Sequence, residues 1–499
     1  MEQLIDGILR EESVRKQLSA LRKQLKENPE GKPLCCESQV ISRLIQLLES
    51  PDAKTRKNAA LLLGDLGEPI GEGEKSQKVM EALWNAFDRE DTKFVKNAYI
   101  HGLASYPAKV YVPKLRQILT DINQSHIPEE DLKHVRELRR EIEAVLTVWD
   151  EGETVSFQGI RRKHALLLVA EPYIQDSLCQ ELKKHNLQGS VTRRGVRVVT
   201  DSLAKIEKIR LYRELWFVLR VKEGIVLDEE HLPEGIADSE LMPILKEVYG
   251  DKKSYTFKLS YMGPKQLAEK LPLKQLAFRL EEASNHKLVN GAGDALVEIK
   301  ICPKKEGTFS LYGKFFGCPK DRFAYHQESL PTSMAPVTAA QMVELISPYF
   351  VENAHILDPF CGQGNLLIER YERMPARDVY GVDIYGQAIE SARKQTEAFG
   401  QEFYYINRDF FDFTTSYLMD EIITECPRME NKSREIVDEF YGNFFDKAIE
   451  VTTDQALLFV LSTEENAIKK QIRLHDKLQL VRQIAMRGAE NIFIIKRRG

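Results

Sequence analysis

The sequence has few of the features that would mark a secreted, metal-binding or membrane-embedded protein. Its seven cysteines include no Cys-x-x-Cys pair, which argues against a zinc or disulfide framework and favours a reducing compartment. No apolar run approaches the ~20 residues of a membrane span, and the opening residues Met-Glu-Gln-Leu-Ile-Asp do not form a signal peptide. We therefore expect a cytoplasmic protein that has no metal site and no membrane contact.

The chain also lacks a strong net charge. A formal charge of -5 and a hydrophobic content of 43% are ordinary for a soluble protein, so any nucleic-acid surface must be local. Its 499 residues, at ~100–200 residues per domain, predict roughly three domains.

The most informative stretch runs from residue 355 to residue 428. An apolar pair leads into Asp358, a turn containing Gly362 and Gly364 follows, and an apolar helix starts at once. Glycines let the backbone approach a ligand closely, and the first amides of the helix face that ligand. This pattern predicts a site for a nucleotide-like cofactor.

Three further strand ends follow in order. A second short strand ends at Asp383, about 20 residues after the last glycine, where a ribose diol would lie. A third apolar run closes at Asp409, and a fourth ends in Glu425-Cys426-Pro427-Arg428. Ligands bind beyond the carboxyl ends of the strands in open parallel sheets, so four polar strand ends predict one shared site.

Two common nucleotide motifs are absent. A dinucleotide fingerprint requires a third glycine where this chain has Leu367, and a P-loop requires Gly-Lys-Ser/Thr. Asp-Pro-Phe-Cys-Gly-x-Gly instead resembles the first motif of S-adenosylmethionine-dependent methyltransferases of the nucleic-acid-modifying branch. The resemblance implies a Rossmann-like α/β domain of class I with S-adenosyl-L-methionine as cofactor. The alternative is an α/β sheet in which the glycines are coincidental.

The resemblance also implies roles for individual residues. The glycine turn would lie along the methionine part of the cofactor, Asp383 would bind the ribose hydroxyls, and Asp409 would accept a hydrogen bond from the adenine amine. Residues 322–335 resemble a loop that covers the cofactor, and Ser333 would line the pocket. The predicted cofactor-binding residues are Asp358, Pro359, Phe360, Gly362, Gly364, Asp383, Ile384, Asp409 and Phe410.

The fourth strand end is the candidate catalytic motif. Amino-methylating relatives have Asn/Asp-Pro-Pro-aromatic there, because an oxygen accepts from the target amine and the ring stacks the flipped base. The matching residues here are Glu425, Cys426, Pro427 and Arg428. Glu425 keeps an acceptor, and Arg428 would stack its guanidinium on a base. Three interpretations stay open: a working variant, a site that only binds, and Cys426 as a covalent nucleophile.

Residues 1–150 are predicted to be all-α. Asp52 with Lys57-Asn58-Ala59 recurs about 39 residues later as Asp91 with Lys96-Asn97-Ala98. The repeat resembles a HEAT repeat, which implies a solenoid that docks a protein or RNA partner. The alternative is a plain helical cap with no partner.

Residues 155–225 alternate strands with short helices, which predicts a ferredoxin-like α+β unit with one helix over residues 203–211. Basic residues outnumber acidic ones here, and this excess favours a polyanionic partner. The basic residues include Arg161, Arg162, Lys163, Lys183, Lys184, Arg193, Arg194, Arg197, Lys205, Lys208, Arg210 and Arg213.

Residues 230–318 follow the order helix, strand, helix, strand pair. We expect a helix over 264–283 and paired strands over 296–301 and 308–312. This order resembles a THUMP domain, which implies RNA binding; the alternative is an unrelated α+β insertion.

Residues 319–499 are the predicted methyltransferase domain, ending in a hairpin with a reversed strand. With the two units before it, the arrangement resembles THUMP-containing RNA methyltransferases that act on tRNA or ribosomal RNA. That resemblance implies methylation of a base, most specifically the exocyclic N2 of guanine. The alternative is a non-catalytic RNA-binding or scaffold protein with a degenerate site.

Overall fold

The computed structural model describes most of the chain, with short gaps. The described residues are 1–28, 32–71, 73–124, 131–149, 156–222, 226–264, 271–291, 295–304, 307–319, 321–327, 330 and 333–499. They form two compact units, each built from two separate stretches of chain. Unit 1 combines Met1–Ser156 with Arg220–Leu311, and unit 2 combines Phe157–Leu219 with Tyr312–Gly499. The linker predicted at 150–153 lies outside the described residues.

The N-terminal stretch of unit 1 is helical wherever it is described, apart from its turns. Its helices are α1 (Glu2–Leu9), α2 (Val14–Glu27), α3 (Lys32–Cys35), α4 (Ser38–Leu47), α5 (Ala53–Asp65), α6 (Gly67–Ile70), α7 (Glu74–Arg89), α8 (Lys93–Leu103), α9 (Val112–Gln124) and α10 (Leu132–Trp149). The pairs α4/α5 and α7/α8 are the two copies of the predicted repeat. Helix α5 packs along α8 and α8 packs along α10, which makes one layer of equivalent helices.

The repeated glycines explain how closely this layer packs. A side chain at Gly64 would place its Cβ 2.8 Å from the Cα of Gly102, and one at Gly102 would lie 2.7 Å from the Ala60 carbonyl oxygen. Only glycine therefore allows α5 and α8 to approach at this point. Asp52 begins α5 by accepting the backbone N–H of Thr55 at 2.9 Å, the usual role of a helix N-cap.

Residues 157–219 of unit 2 form a small α+β arrangement. Its elements are β1 (His164–Val169), α11 (Gln175–Lys184), β2 (Gly189–Thr192), β3 (Gly195–Thr200), α12 (Leu203–Ile206) and β4 (Glu214–Leu219). The strands lie in the order β2-β3-β1-β4, and all neighbours are antiparallel. Strand β2 was not predicted, because Gly-Ser-Val-Thr contains no apolar run.

The helix predicted over residues 203–211 is wrong beyond Ile206. The backbone N–H of Arg210 donates to Glu181 Oε1 at 2.9 Å, so it is not available to a carbonyl within a helix. The Arg210 side chain is also fixed from outside the segment, by Glu369. These contacts to distant residues outweigh the local helical pattern.

Residues 220–311 complete unit 1. Their elements are α13 (Leu232–Ala237), α14 (Leu241–Tyr249), β5 (Tyr255–Tyr261), α15 (Leu273–Ala283), β6 (Leu288–Asn290), β7 (Val297–Pro303) and β8 (Phe309–Phe315), which continues into unit 2. Strand β5 is parallel to both of its neighbours, β6 and β7. The predicted strand pair is confirmed as β7 and β8. Of the helix predicted over 264–283, residues 273–283 are confirmed as α15, Leu271 and Pro272 are not helical, and residues 265–270 lie outside the described part.

The C-terminal stretch of unit 2 is a helix-flanked α/β sheet. Its strands are β9 (His355–Asp358), β10 (Asp378–Asp383), β11 (Tyr404–Asn407), β12 (Met419–Glu425), β13 (Thr452–Ser462), β14 (Leu478–Ala485) and β15 (Asn491–Arg497). Its helices are α16 (Pro336–Ile346), α17 (Asn365–Arg373), α18 (Gly386–Phe399), α19 (Arg434–Val451) and α20 (Glu465–Leu474).

The strand order of this sheet is β11-β10-β9-β12-β13-β15-β14. Strands β9 to β13 are parallel, whereas β15 is antiparallel to β13 and to β14. The predicted reversed C-terminal strand is therefore confirmed. Among the described helices of the whole chain, none is both long and apolar enough to cross a bilayer.

Candidate active site

The sheet of unit 2 changes direction between β9 and β12. From β9 the chain proceeds outward through β10 and β11, and it then returns to place β12 on the other side of β9. Such a switch point leaves a crevice at the carboxyl ends of the two central strands. Asp358 ends β9, Asp383 ends β10 and Glu425 ends β12, while Asp409 lies two residues beyond β11. The structure therefore brings the four predicted strand ends to one edge of the sheet.

The glycine turn after β9 has a backbone that only glycine adopts readily. Gly362 has φ +51° and Gly364 has φ +77°, both in the left-handed region. A side chain at Gly364 would also overlap the hydroxyl of Tyr405. At Gly362 the nearest heavy atom to an added Cβ would be Ser333 Oγ at 3.8 Å, so the turn has open space on that side.

Asp383 holds the glycine turn against β10. Its Oδ2 accepts the backbone N–H of Gly362 at 2.9 Å, and its Oδ1 accepts the backbone N–H of Tyr385 at 2.9 Å. Each carboxylate oxygen keeps a lone pair for a further donor. Ile384, next in the chain, is 58% exposed and offers an apolar surface beside this carboxylate.

Asp409 and Phe410 occupy the end of the neighbouring strand β11. Asp409 is exposed and caps a short 3-10 turn by accepting the N–H of Phe411 at 3.0 Å. Phe410 is buried and meets Phe360 edge-to-face, with ring centroids 5.9 Å apart. Phe360 and Phe410 therefore pack together in the core next to these strand ends, while Asp409 is exposed.

Asp358 lies deepest in the crevice. Burial raises the pKa of its carboxyl to about 7, against hydrogen bonds from Thr424 and Phe360 that lower it. Thr424 Oγ1 donates to Asp358 Oδ1 at 2.7 Å, and the Phe360 N–H donates to the same oxygen at 3.1 Å. The charges of Asp383 and Glu425 raise the pKa further. A cationic ligand beside Asp358 would favour its ionised form.

Glu425 stands at the end of β12 with 28% of its side chain exposed. Burial raises the pKa of this carboxyl, and Glu490 adds to that effect while Arg428 opposes it. The Arg428 guanidinium lies 3.9 Å from Glu425 Oε1 and 3.1 Å from Glu490 Oε1. Arg428 is 63% exposed, and its side-chain hydrogen bond goes to Glu490 rather than to Glu425.

Cys426 and Pro427 differ sharply in exposure. Cys426 is buried, and its backbone N–H donates to the Leu461 carbonyl at 3.0 Å, which continues the pairing of β12 with β13. Burial raises the pKa of the Cys426 thiol, which disfavours the thiolate that a covalent nucleophile requires. Pro427 is exposed at the start of the following loop.

Asn365 is a further candidate site residue, which was not predicted from the sequence. It begins α17, its Nδ2 donates to the Met334 carbonyl at 2.8 Å, and its buried Oδ1 has no partner among the described residues. An unpaired buried acceptor at a helix start, next to a glycine turn, fits an ammonium group of a ligand. Its position directly after Gly364 was the available signal.

Gln363, between the two glycines, ties the preceding loop to the turn. Its Oε1 accepts the Leu330 N–H at 3.0 Å, and its Nε2 donates to Ser391 Oγ at 2.6 Å. The loop predicted to cover the cofactor is therefore attached to the glycine turn at Leu330 and at Met334. Residues 328–329 and 331–332 of that loop lie outside the described residues.

These features fit S-adenosylmethionine. Asn365 Oδ1 would accept from the amino group, Asp383 from the ribose hydroxyls and Asp409 from the adenine amine, while Ile384 would contact the adenine ring. The open side of Gly362 leaves the backbone accessible to the methionine part. When bound, the cofactor supplies an electrophilic methyl group.

Comparison with known families identifies parts of both units. A family model described as a methyltransferase domain matches residues 350–470. A model of the armadillo/beta-catenin-like repeat matches residues 28–66, which include the first predicted repeat; its HEAT-like class stays a prediction.

Individual relatives cover different parts of the chain. Carboxy-S-adenosyl-L-methionine synthase from Campylobacter lari is 28% identical over 160 residues, which is 31% of this chain and 68% of that protein. tRNA (guanine(10)-N2)-dimethyltransferase from Methanothermobacter thermautotrophicus is 35% identical over 121 residues, 24% of this chain and 35% of that protein. The crystal structure of TrmN from Thermus thermophilus matches 67% of this chain and 100% of its own, with a TM-score of 0.50 and 18% identity.

The matched regions coincide with the geometry described above. The family match spans β9 to β13, and so it contains the glycine turn and all four acidic strand ends. The C-terminal stretch of unit 2 thus carries a methyltransferase domain, and its cofactor is S-adenosylmethionine.

Proposed function

We propose that the protein is an RNA methyltransferase that modifies a base of tRNA or ribosomal RNA. The methylated atom that we propose is the exocyclic N2 of guanine. The observation that carries this proposal is the position of Glu425. Its carboxylate ends β12 beside Asp358, at the switch point of the sheet, and its neighbour Arg428 is turned toward Glu490.

Glu425 has the chemistry to prepare an amine for methylation. Its carboxylate accepts a hydrogen bond from the amine N–H, which orients the nitrogen lone pair, and it then takes up the proton released by that nitrogen. Its raised pKa makes it a better proton acceptor than an exposed glutamate. Arg428, with most of its guanidinium exposed, is suited to stacking on the target base.

An RNA substrate is supported by the rest of the chain. The tRNA dimethyltransferase named above modifies a guanine, and the likeness to TrmN covers two thirds of this chain, more than residues 312–499 alone. Residues 157–219 carry exposed cations suited to phosphates. These are Arg161, Arg162, Lys163, Lys183, Lys184, Arg193, Arg197, Lys205 and Lys208.

Two of the predicted RNA-binding cations instead have partners within unit 2. Arg210 pairs with Glu369, with Nη2 to Oε1 at 2.5 Å and Nε to Oε2 at 3.0 Å. Arg213 pairs with Glu171 at 2.5 Å. Neither side chain enters the proposed RNA surface.

Domain roles form part of the same proposal. Residues 155–225 would be the ferredoxin-like unit, 230–318 the THUMP-like RNA-binding domain and 319–499 the methyltransferase. Residues 1–150 would be the HEAT-like arm, open to a protein or RNA partner. The antiparallel order β2-β3-β1-β4 with α11 and α12 supports the first of these assignments.

A second candidate is a non-catalytic RNA-binding or scaffold protein. Cys426 favours it, because this buried residue stands where amino-methylating relatives have a proline. The same fourth motif would then bind a base without transferring a methyl group.

Methyl transfer from labelled S-adenosylmethionine into RNA tests the proposal. The substrate is total RNA from cells that lack this protein, and the wild type is compared with Asp383→Ala and Glu425→Gln. We expect incorporation by the wild type and a loss of about 10²-fold or more in Glu425→Gln. Digestion to nucleosides then identifies the modified base, which we expect to be N2-methylguanosine.

A binding measurement separates the two candidates. Cofactor and RNA binding by the wild type without incorporation into any RNA would support the scaffold candidate and overturn the enzymatic one. Incorporation that Glu425→Gln leaves unchanged would show that Glu425 is not the acceptor.

A further inference from the structure

The helical arm carries two rows of cations on the layer formed by α5, α8 and α10. The first row is Lys54, Lys93 and Lys133, and the second is Lys57, Lys96 and Arg136. Each row places one residue in the first turns of each helix, at the repeat spacing. Because these helices pack side by side, equivalent residues on neighbouring helices lie about 8–10 Å apart, and the two rows about 5 Å apart along each helix.

Helix capping does not require these cations. The start of a helix is the positive end of its dipole, and acidic side chains stabilise it. Asp52 is the N-cap of α5, and Asp91 and Asp131 lie just before α8 and α10, so acidic residues already supply this stabilisation. The cations that follow them in the first turns do not contribute to it.

Most of this charge remains at the surface. Arg140 extends the second row by one turn of α10 beyond Arg136. Lys54, Lys133 and Arg140 are exposed, and no ion pair involving them occurs within the described residues. Lys57 and Lys96 lie over the rings of Phe94 and Phe87, at 5.6 and 4.8 Å from the centroids, and such contacts leave the charge unneutralised.

Acidic residues reduce the positive potential locally. Asp52 and Asp91 lie just before α5 and α8, Lys93 forms an ion pair with Asp131, and Glu137 accepts from Asn97 Nδ2 at 3.1 Å. The cations of α5 and the exposed side of α10 remain in excess over these acids.

We infer that this basic face of α5, α8 and α10 is a second RNA contact, which binds the phosphate backbone of the substrate RNA. The inference rests on the proposed function. A nucleic-acid backbone repeats its charges at short, regular intervals, and it can therefore contact several rows at once.

The test is the salt dependence of RNA binding by the full chain. The probe is a fluorescently labelled, unmodified tRNA transcript that the wild type methylates, titrated between about 50 and 300 mM salt. The variant Lys54→Ala/Lys133→Ala/Arg140→Ala removes three exposed charges. We expect affinity to fall roughly tenfold to a hundredfold and the slope of log K against log salt to lessen by about one per cation.

A matched control removes three cations elsewhere in unit 1. Lys75→Ala/Lys78→Ala/Lys109→Ala changes the net charge equally, but on and after α7. We expect RNA affinity and slope to stay within about twofold of the wild type. Thermal unfolding of both variants checks that the arm remains folded.

Methyl transfer distinguishes failure of this inference from failure of the proposed function. We expect the triple variant to keep its maximal rate at saturating RNA while KM for RNA rises. An unchanged slope in a variant that still methylates RNA would overturn the basic face as an RNA contact. If the variant binds RNA as the wild type does but no longer binds polyglutamate, the partner is an acidic protein and the inference is wrong. If the wild type neither binds nor methylates any RNA, the proposed function itself fails.

Discussion

The guanidinium of Arg428 lies closer to Glu490, 62 residues further along the chain, than to Glu425, three residues before it. Glu490 precedes β15 at the turn of the C-terminal hairpin, where its backbone carbonyl accepts the Met486 N–H at 2.9 Å. The hairpin thus places a second carboxylate, Glu490, beside Arg428. Glu490 competes with Glu425, the candidate acceptor, for the Arg428 guanidinium. Arg428 donates its hydrogen bond to Glu490 and keeps only a longer ion pair with Glu425, which under the proposed function leaves Glu425 able to accept from a substrate.

Glu490→Gln should lower the rate of methyl transfer. Without the Glu490 charge, Arg428 is expected to pair with Glu425 and occupy its oxygens, and the rate should fall about tenfold to a hundredfold. Initial rates at saturating RNA and cofactor measure this. Adding Arg428→Ala should restore most of the loss, whereas Asp438→Asn, which removes a surface partner of Lys470, should have little effect. Equal losses in the single and the double variant would contradict this competition.

Asp383→Ala should weaken cofactor binding. The substitution removes the acceptor for the ribose hydroxyls and releases the Gly362 N–H, and hydrogen bonds to charged groups contribute about 1.5–3 kcal/mol. Calorimetric titration with S-adenosylmethionine should show a rise in Kd of roughly tenfold to a hundredfold. Asp378→Ala at the opposite end of β10 is the control and should bind normally. Equal affinities in all three proteins would remove Asp383 from the site.

Asp358→Asn should change how stability depends on pH. Burial raises the pKa of Asp358 from 3.8 to about 7, so between these values the folded protein holds a proton that the unfolded chain has released. The contribution of the Asp358 carboxyl to the free energy of unfolding therefore falls as pH rises from about 4 to 7. Above pH 7 the carboxyl is ionised in both states, and its destabilising effect no longer grows.

Denaturant unfolding of the cofactor-free protein measures this effect. We expect Asp358→Asn to exceed the wild type in stability at pH 8, by an amount on the order of a few kcal/mol, and to approach it near pH 5. The exposed Asp412→Asn serves as control. A difference that does not vary with pH would show that the Asp358 carboxyl is ionised throughout.

Arg210→Met should destabilise unit 2 strongly. The substitution leaves Glu369, whose side chain is 3% exposed, without its cation, and breaking a buried pair costs about 3–5 kcal/mol. Urea unfolding followed by a probe in unit 2 measures the loss. Arg210→Met/Glu369→Met should recover much of it, whereas breaking the exposed Lys469–Glu465 pair should cost about 0–1 kcal/mol. A small loss from Arg210→Met would indicate that Glu369 is protonated in the folded protein, as its raised pKa permits.

Local sequence was sufficient where structure depends on local pattern. An apolar run ending in an acid located Asp358, Asp383 and Glu425 at strand ends, because the period and the chemistry of these segments are set by neighbours in the chain. The repeat of Asp52 as Asp91, about 39 residues later, was likewise visible in the sequence. The close approach of Gly64 and Gly102 follows from the packing of equivalent helices.

Prediction from the sequence failed where contacts between residues distant in the chain determine the structure. The helix predicted past Ile206 ends because residues near 181 and 369 hold Arg210, and neither is near it in sequence. Glu490 and the unpaired Asn365 Oδ1 became visible only through contacts across the fold. Arg210 and Arg213 show a different error. The sequence counts them among the basic residues of a predicted RNA surface, but each forms an ion pair within unit 2.

The two units interleave along the chain, with changes of membership near residues 157, 220 and 312. During synthesis, the helical arm can gain its partner segment only when residue 311 has left the ribosome. The segment 157–219 emerges before the other part of unit 2, residues 312–499, has been synthesised. A nascent chain therefore carries the first segment of unit 2 while the second segment of unit 1 is still being synthesised. Protease cleavage near residue 220 would likewise leave neither fragment with both segments of one unit.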